Sequence, residues 1–380
     1  MNAFLILGLL TGCAAMAQPV RFYLGTYTDH SSSRGIYTGT LDPDTGRLGP
    51  IELAVKAASP SFLALSPDEK FLYAAMESNG GSVAAFRVEP DGRLTPLNTS
   101  PCDKGTCHVS VDATGSNVFA ANYTAGSAAC FQTGPDGSLS RRSALVKLTG
   151  SGPNPQRQTH PYIHSMYAAP GNRVVYACDL GTDNVWVFDL DAANGALTPA
   201  RPPSGKVPPG SGPRHLALSP DGRFAYVNGE MGMNVTAFAR NPDTGALTAM
   251  QTLSTLPAGV ETNGMTTAEI VCHPDGKWLY VSNRDVAGRG RDSLAVYAIA
   301  ADGKLTWQQD APAQVKVPRG FGIDPTGRWL LVAGQQDNKI AVFKIDGATG
   351  KLSPTDQVAT VGVPVCVIFA STPKTPATGR

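Results

Sequence analysis

Short apolar runs alternate with Pro/Gly turns along nearly the whole chain, and the runs come in pairs. In Pro213-Arg214-His215-Leu216-Ala217-Leu218-Ser219-Pro220-Asp221-Gly222-Arg223-Phe224-Ala225-Tyr226-Val227 an apolar run, a turn and a second apolar run follow one another. The phrase returns at 62–68 before Phe71-Leu72-Tyr73, at 109–115 before Val118-Phe119-Ala120, at 166–171 before Val174-Val175-Tyr176, and again at 270–276 and 321–327. The spacing of about fifty residues is that of propeller blades. Each unit continues with two further runs, as in Asn234-Val235-Thr236-Ala237-Phe238, the turn Asn241-Pro242-Asp243-Thr244-Gly245, and Ala246-Leu247-Thr248. Runs rich in Val, Tyr and Phe and punctuated by Pro-Asp-Gly or Thr-Gly predict strands joined by tight turns, four to a unit.

Six units fill the chain from Pro60 to about Leu352, and the end pieces complement one another. Phe22-Tyr23-Leu24, Gly35-Ile36-Tyr37 and Leu48 onward match second, third and fourth strands, whereas Pro364-Val365-Cys366-Val367-Ile368-Phe369 matches only a first. The expected fold is therefore all-β, a seven-bladed β-propeller of four-stranded blades whose ring is closed by N- and C-terminal strands in one blade. Closure removes the free sheet edges that invite aggregation.

A length of 380 residues by itself suggests two or three domains. The unbroken repeat makes it one, at 18–370, with a tail at 371–380. Charged residues are 16% of the chain, against a usual value of about 25%, and the formal net charge is +1. No basic field exists for nucleic acid, and the easier partner is a small neutral or anionic molecule. Residues 3–10 are apolar but too short to span a bilayer, and Ala15-Met16-Ala17 before Gln18 has the form of a signal-peptidase site. Residues 1–17 are thus expected to be a signal peptide, and the protein periplasmic or secreted. Leu10-Thr11-Gly12-Cys13 also resembles a lipobox, in which case Cys13 carries a lipid anchor. Cys130, Cys178, Cys272 and Cys366 fall inside apolar runs and read as buried small hydrophobes. Cys102 and Cys107 flank a polar loop without zinc spacing, and a local disulfide between them stays open.

In a propeller blade the first strand lines the central channel and the second runs back beside it. The start of the first strand and the end of the second therefore open on one mouth. First-strand starts offer His108, His164, Arg214, His215, Glu269 and Arg319; second-strand ends offer Glu77, Asn122, Asp179, Glu230, Asn283, Arg284 and 335–337. Arg, His and carboxylates converging on one channel suit an anion-binding hydrolytic site. A solvated rim of structural salt bridges fits the same residues, as does a non-catalytic binding propeller, whose blades would carry near-equivalent polar groups. The single occurrence of His164, Arg214, Glu230 and Arg284 in their blades speaks for an enzyme. A metal-dependent reading would use Glu77, Asn122, Asp179 and Glu230 as oxygen ligands.

Gly25-Thr26-Tyr27-Thr28, Cys107-His108-Val109-Ser110-Val111-Asp112, Ala121-Asn122-Tyr123, Asp179-Leu180-Gly181-Thr182-Asp183, Gly212-Pro213-Arg214-His215, Ser282-Asn283-Arg284 and Asp292-Ser293-Leu294-Ala295-Val296 stand together over 22–369. As a set they resemble the seven-bladed propeller lactonase family, which includes propeller-type 6-phosphogluconolactonases and carboxymuconate-lactonizing enzymes. The resemblance implies catalytic residues at His164, Arg214, Glu230 and Arg284, and no metal or other cofactor. Two positions depart from the family pattern. Pro161-Tyr162-Ile163-His164 carries Tyr162 in place of a first His, and Val227-Asn228-Gly229-Glu230 displaces the Glu by one residue. On this reading Glu230 activates water, His164 assists or protonates the leaving alkoxide, and Arg214 and Arg284 hold the oxyanion. His108, Asn122, Asp179, His215, Asn283 and Arg319 are expected to contact the substrate, a small sugar lactone. Export favours an unphosphorylated lactone, the resemblance a phosphorylated one, and a muconate-type cycloisomerase on the same residues remains an alternative.

Overall fold

The computed structural model describes residues 18–78 and 80–371. The expected signal peptide, the Cys13 anchor and most of the 371–380 tail lie outside the described residues. Twenty-eight strands form seven four-stranded antiparallel sheets. Six blades are consecutive, and the seventh has the order β28-β1-β2-β3, with β28 (Pro364–Phe369) paired to β1 (Val20–Thr26). The inner strands are β4 (Pro60–Leu65), β8 (Thr106–Val111), β12 (Ile163–Ala168), β16 (Pro213–Leu218), β20 (Met265–Cys272), β24 (Pro318–Ile323) and β28. Each packs against the next, and β28 touches both β24 and β4, so the ring closes.

Burial follows position in the blade. Second strands such as β9 (Asn117–Asn122) and β13 (Val174–Asp179) are buried on both faces because they lie between neighbouring sheets, while outer strands such as β11 (Leu139–Lys147) expose much of their length. The apolar core is accordingly a ring of clusters between adjacent blades, not one central mass. A polar device recurs across these seams. The hydroxyls of Tyr73, Tyr176, Tyr226 and Tyr280 donate to the carbonyls of Gly137, Gly245, Gly303 and Gly350 in the outer turn of the next blade, at 2.8–3.1 Å. Gly350 sits at φ +68°, and a Cβ there would run into the Trp278 ring of the preceding blade. Gly350→Ala is therefore expected to lower stability by about 1–2 kcal/mol from backbone strain alone, more with the ring contact, read as a lower denaturation midpoint.

The feature that shapes the channel is a break in register near the start of every inner strand. Pairing skips Ser61, Cys107, His164, Arg319 and Val365 singly, and skips Arg214-His215 and Ala268-Glu269 as pairs. A bulged residue leaves the ladder and is re-aimed. The same break is present in all seven blades.

Candidate active site

Seven of the bulge residues line an inner chamber in the channel, together with Phe62: Ser61, Cys107, His164, Arg214, His215, Arg319 and Val365 all border it. Above it opens a mouth pocket of about 210 Å³ that shares Cys107, His164, Arg214 and Arg319 and adds Glu77, Tyr123, Glu230 and Arg284 from the ends of second strands. The last lining residue is Arg157, from the loop between β11 and β12. That loop is held locally: the Asn154 side chain accepts the backbone N–H groups of Gln156 and Arg157, and the buried Gln158 amide donates to Leu180 O. Arg157 is thereby set over the mouth. It is absent from the repeat, which is why blade alignment does not find it.

Glu230 is the hub. Its Oε2 accepts from Arg214 Nη1 at 2.7 Å and lies 3.3 Å from Arg284 Nη2, while Oε1 accepts from Arg157 Nη2 at 2.7 Å. Burial alone would raise its pKa, but the Arg214 and Arg284 guanidiniums, with Arg157, hold it well below the carboxylate range. Arg214 also donates through Nε to Ala268 O and through Nη1 to His164 Nε2. That contact puts the proton of His164 on Nδ1, which has no partner among the described residues. Burial, then Arg214 and His215, push the His164 pKa well below its ordinary value, so the ring is neutral. Burial and Arg214 also pull Arg284 down to about 9, still protonated at neutral pH. Arg284 donates from Nη2 to Thr267 O, and its Nε is unpartnered among the described residues. Arg319 lies over the Tyr27 ring, 5.4 Å from the centroid, and has no ion pair among the described residues. Tyr27 in turn donates to Glu77 at 2.7 Å.

The four residues His164, Arg214, Glu230 and Arg284 therefore meet at one mouth, joined by Arg319. Asn122, Asp179 and Asn283 do not. Asn122 and Asn283 each lie one residue before a position that lines the mouth, and alternation along a strand turns them away, while Asp179 is buried at the end of β13. Asn122 bonds Thr106 and Ser127; Asp179 accepts from Tyr162 N, Gly181 N, Thr182 and Trp186; Asn283 donates to Thr255 O and Ser293. These bonds tie neighbouring strand ends and loops together. Among the described residues no group of three or more His, Cys, Asp or Glu is placed to hold a metal ion. His108 is fully buried below the mouth against Phe62, Tyr167 and His215. His215 borders the inner chamber, not the mouth. Cys102 and Cys107 are free thiols, so the local disulfide is not formed. Wider clefts of about 370 and 330 Å³ lie between blades, lined by the Ser-Pro-Asp and Pro-Asp-Gly turns, and hold no comparable cluster.

Residues 21–369 match the family described as Lactonase, 7-bladed beta-propeller. The chain belongs to this lactonase family. Membership makes it a carboxylic ester hydrolase acting on lactones. The lactonase is 34% identical over 351 residues to a Bacillus subtilis protein named 6-phosphogluconolactonase, covering 91% of this chain and 97% of that one. It is 31% identical over 343 residues to a 6-phosphogluconolactonase of Formosa agariphila, covering 88% and 95%. Among solved structures it resembles the periplasmic gluconolactonase of Pseudomonas aeruginosa at 30% identity and TM-score 0.84, covering 94% and 100% of the two chains.

Proposed function

We propose that this lactonase hydrolyses a sugar lactone in the manner of a 6-phosphogluconolactonase, with an anionic arm of the sugar held in the mouth pocket. The observation that carries the reading is the charge inventory: four guanidiniums face two carboxylates, and both Arg319 and the Arg284 Nε lack counter-groups among the described residues. Buried cations without acceptors are costly, and a phosphate or carboxylate arm together with a lactone oxyanion supplies those acceptors.

In this scheme Arg214 and Arg284 stabilise the oxyanion and Arg319 and Arg157 take the anionic arm. His164 donates from Nδ1 to the ring oxygen as it leaves. The expected role of Glu230 as base does not fit its surroundings, because a carboxylate shared by three guanidiniums is a weak proton acceptor. It holds the arginines in place and offsets their repulsion. A second reading, hydrolysis of an unphosphorylated gluconolactone in the periplasm, draws support from the sequence of residues 1–17 and from the description of the Pseudomonas neighbour.

The purified protein is expected to hydrolyse 6-phosphogluconolactone with a KM at least about tenfold below that for gluconolactone, and Arg319→Ala to raise KM for the phosphorylated substrate alone. Equal constants for both lactones favour the second reading. No hydrolysis above the spontaneous rate for either removes both and leaves a binding propeller.

A further inference from the structure

In the mouth pocket Glu230 is fully engaged, the Nε2 of His164 receives Arg214, and Glu77 accepts from Tyr27. The inner chamber is bordered by a base, His215, whose Nε2 is unpartnered among the described residues. The chamber measures about 10 Å³, at the threshold for one water molecule. Three buried polar atoms of its lining residues have no partner among the described residues: Ser61 Oγ, His164 Nδ1 and His215 Nε2. One further orphan, His108 Nε2, belongs to a ring 5.4 Å from that of His215. A water needs two to four polar partners at such a site, and these atoms supply a donor at His164 and an acceptor at His215.

His215 is also oriented from behind. Its Nδ1 lies 2.8 Å from Glu269 Oε1, and that oxygen is fixed by the Ile270 backbone N–H while Glu269 N donates to Ser282. Both groups occupy paired bulges, His215 in β16 and Glu269 in β20. We propose that His215 is the general base of lactone hydrolysis, acting on one water held in the inner chamber, and that Glu269 is its positioning residue. The inference rests on the hydrolytic reading above.

With Glu269 ionised, Nδ1–H points at the carboxylate and the lone pair of Nε2 faces the water. Water oxygen attacks the lactone carbonyl carbon, its proton passes to Nε2, and the carbonyl electron pair moves onto an oxyanion held by Arg214 and Arg284. On collapse the ring C–O bond breaks. The departing oxygen takes one proton, supplied by His164 Nδ1–H and restored from His215, and the product is a hydroxy acid that releases its own proton to solvent.

With Glu269 protonated the tautomer reverses, Nε2 carries hydrogen, and the base is lost. The groups facing the pair set where this happens. Burial raises Glu269 to about 8, against the backbone N–H of Ile270 and the opposing charges of Arg214 and Arg319. Burial, Arg214, Arg319 and Arg284 lower His215, with Glu230 acting the other way. His108 and His164 are themselves held neutral, and Tyr167 and Cys366 on the remaining sides stay protonated.

The test is kcat/KM for the better lactone, corrected for spontaneous hydrolysis, from about pH 6 to about pH 10. The parent is expected to gain activity through a midpoint near 8. Glu269→Gln should lose about 100-fold in kcat and the pH step with it, with KM little changed, and Glu269→Asp should restore a step. A parental rate and step in Glu269→Gln overturns the relay. So does a parent profile with no step, which needs no variant to fold. His215→Gln retaining parental kcat is a third refutation. A parent inactive on every lactone overturns the relay together with the reading it rests on.

Discussion

Arg214→Ala is expected to reduce kcat for lactone hydrolysis by about 10²–10³-fold, the loss seen when one preorganised oxyanion donor is removed. Arg214 is 3% exposed, and its guanidinium is fixed at three points, by Glu230, His164 and the Ala268 carbonyl. The substitution takes away the donor and also frees His164 from the contact that sets its tautomer. The loss should therefore appear in kcat more than in KM, whereas Arg319→Ala should act on KM. Arg214→Lys is not expected to recover the activity, because an ammonium cannot span the Glu230 and Ala268 acceptors as the planar fork does. Steady-state kinetics on both variants check this; a change confined to KM would reassign Arg214 to binding.

Glu230→Gln is expected to destabilise the fold by about 3–5 kcal/mol, because it leaves Arg214 and Arg284 buried without their shared counter-charge. The half-exposed Arg157 pair adds little, since solvent screens it. The sign of the pH dependence follows from the depressed Glu230 pKa. Its contribution is fully present above the ordinary value of 4.5 and is lost as pH falls toward the folded value. Denaturant midpoints of parent and variant should thus differ most near neutrality and converge in acid. A base at this position would give the opposite result, a large loss of rate with an unchanged midpoint.

The blade repeat was legible because each unit buries its apolar runs in the same way, and the complementary ends gave the closing blade. The site was legible to within one residue. Asn122 and Asn283 look like mouth residues in the sequence, yet Tyr123 and Arg284 occupy the facing positions, and a period of two makes a one-residue offset a change of face. The bulge explains why first-strand residues were easier to place. It recurs at a fixed position, one residue after Pro60, Thr106, Ile163, Pro213, Thr267, Pro318 and Pro364. Arg157 was not legible, since its loop has no counterpart in other blades, and neither was the engagement of Glu230, which depends on three side chains from separate segments.

Because the seven bulged positions stand outside the ladders, their side chains are not what holds strand to strand. Changing one of them rewrites a letter at the axis while the seams between blades, with their tyrosine hydroxyls and aromatic contacts, stay as they are. The ring behaves as a frame carrying a seven-letter word, Ser-Cys-His-Arg-Ala-Arg-Val with His and Glu doubled in, and new chemistry can be spelled there without rebuilding the frame.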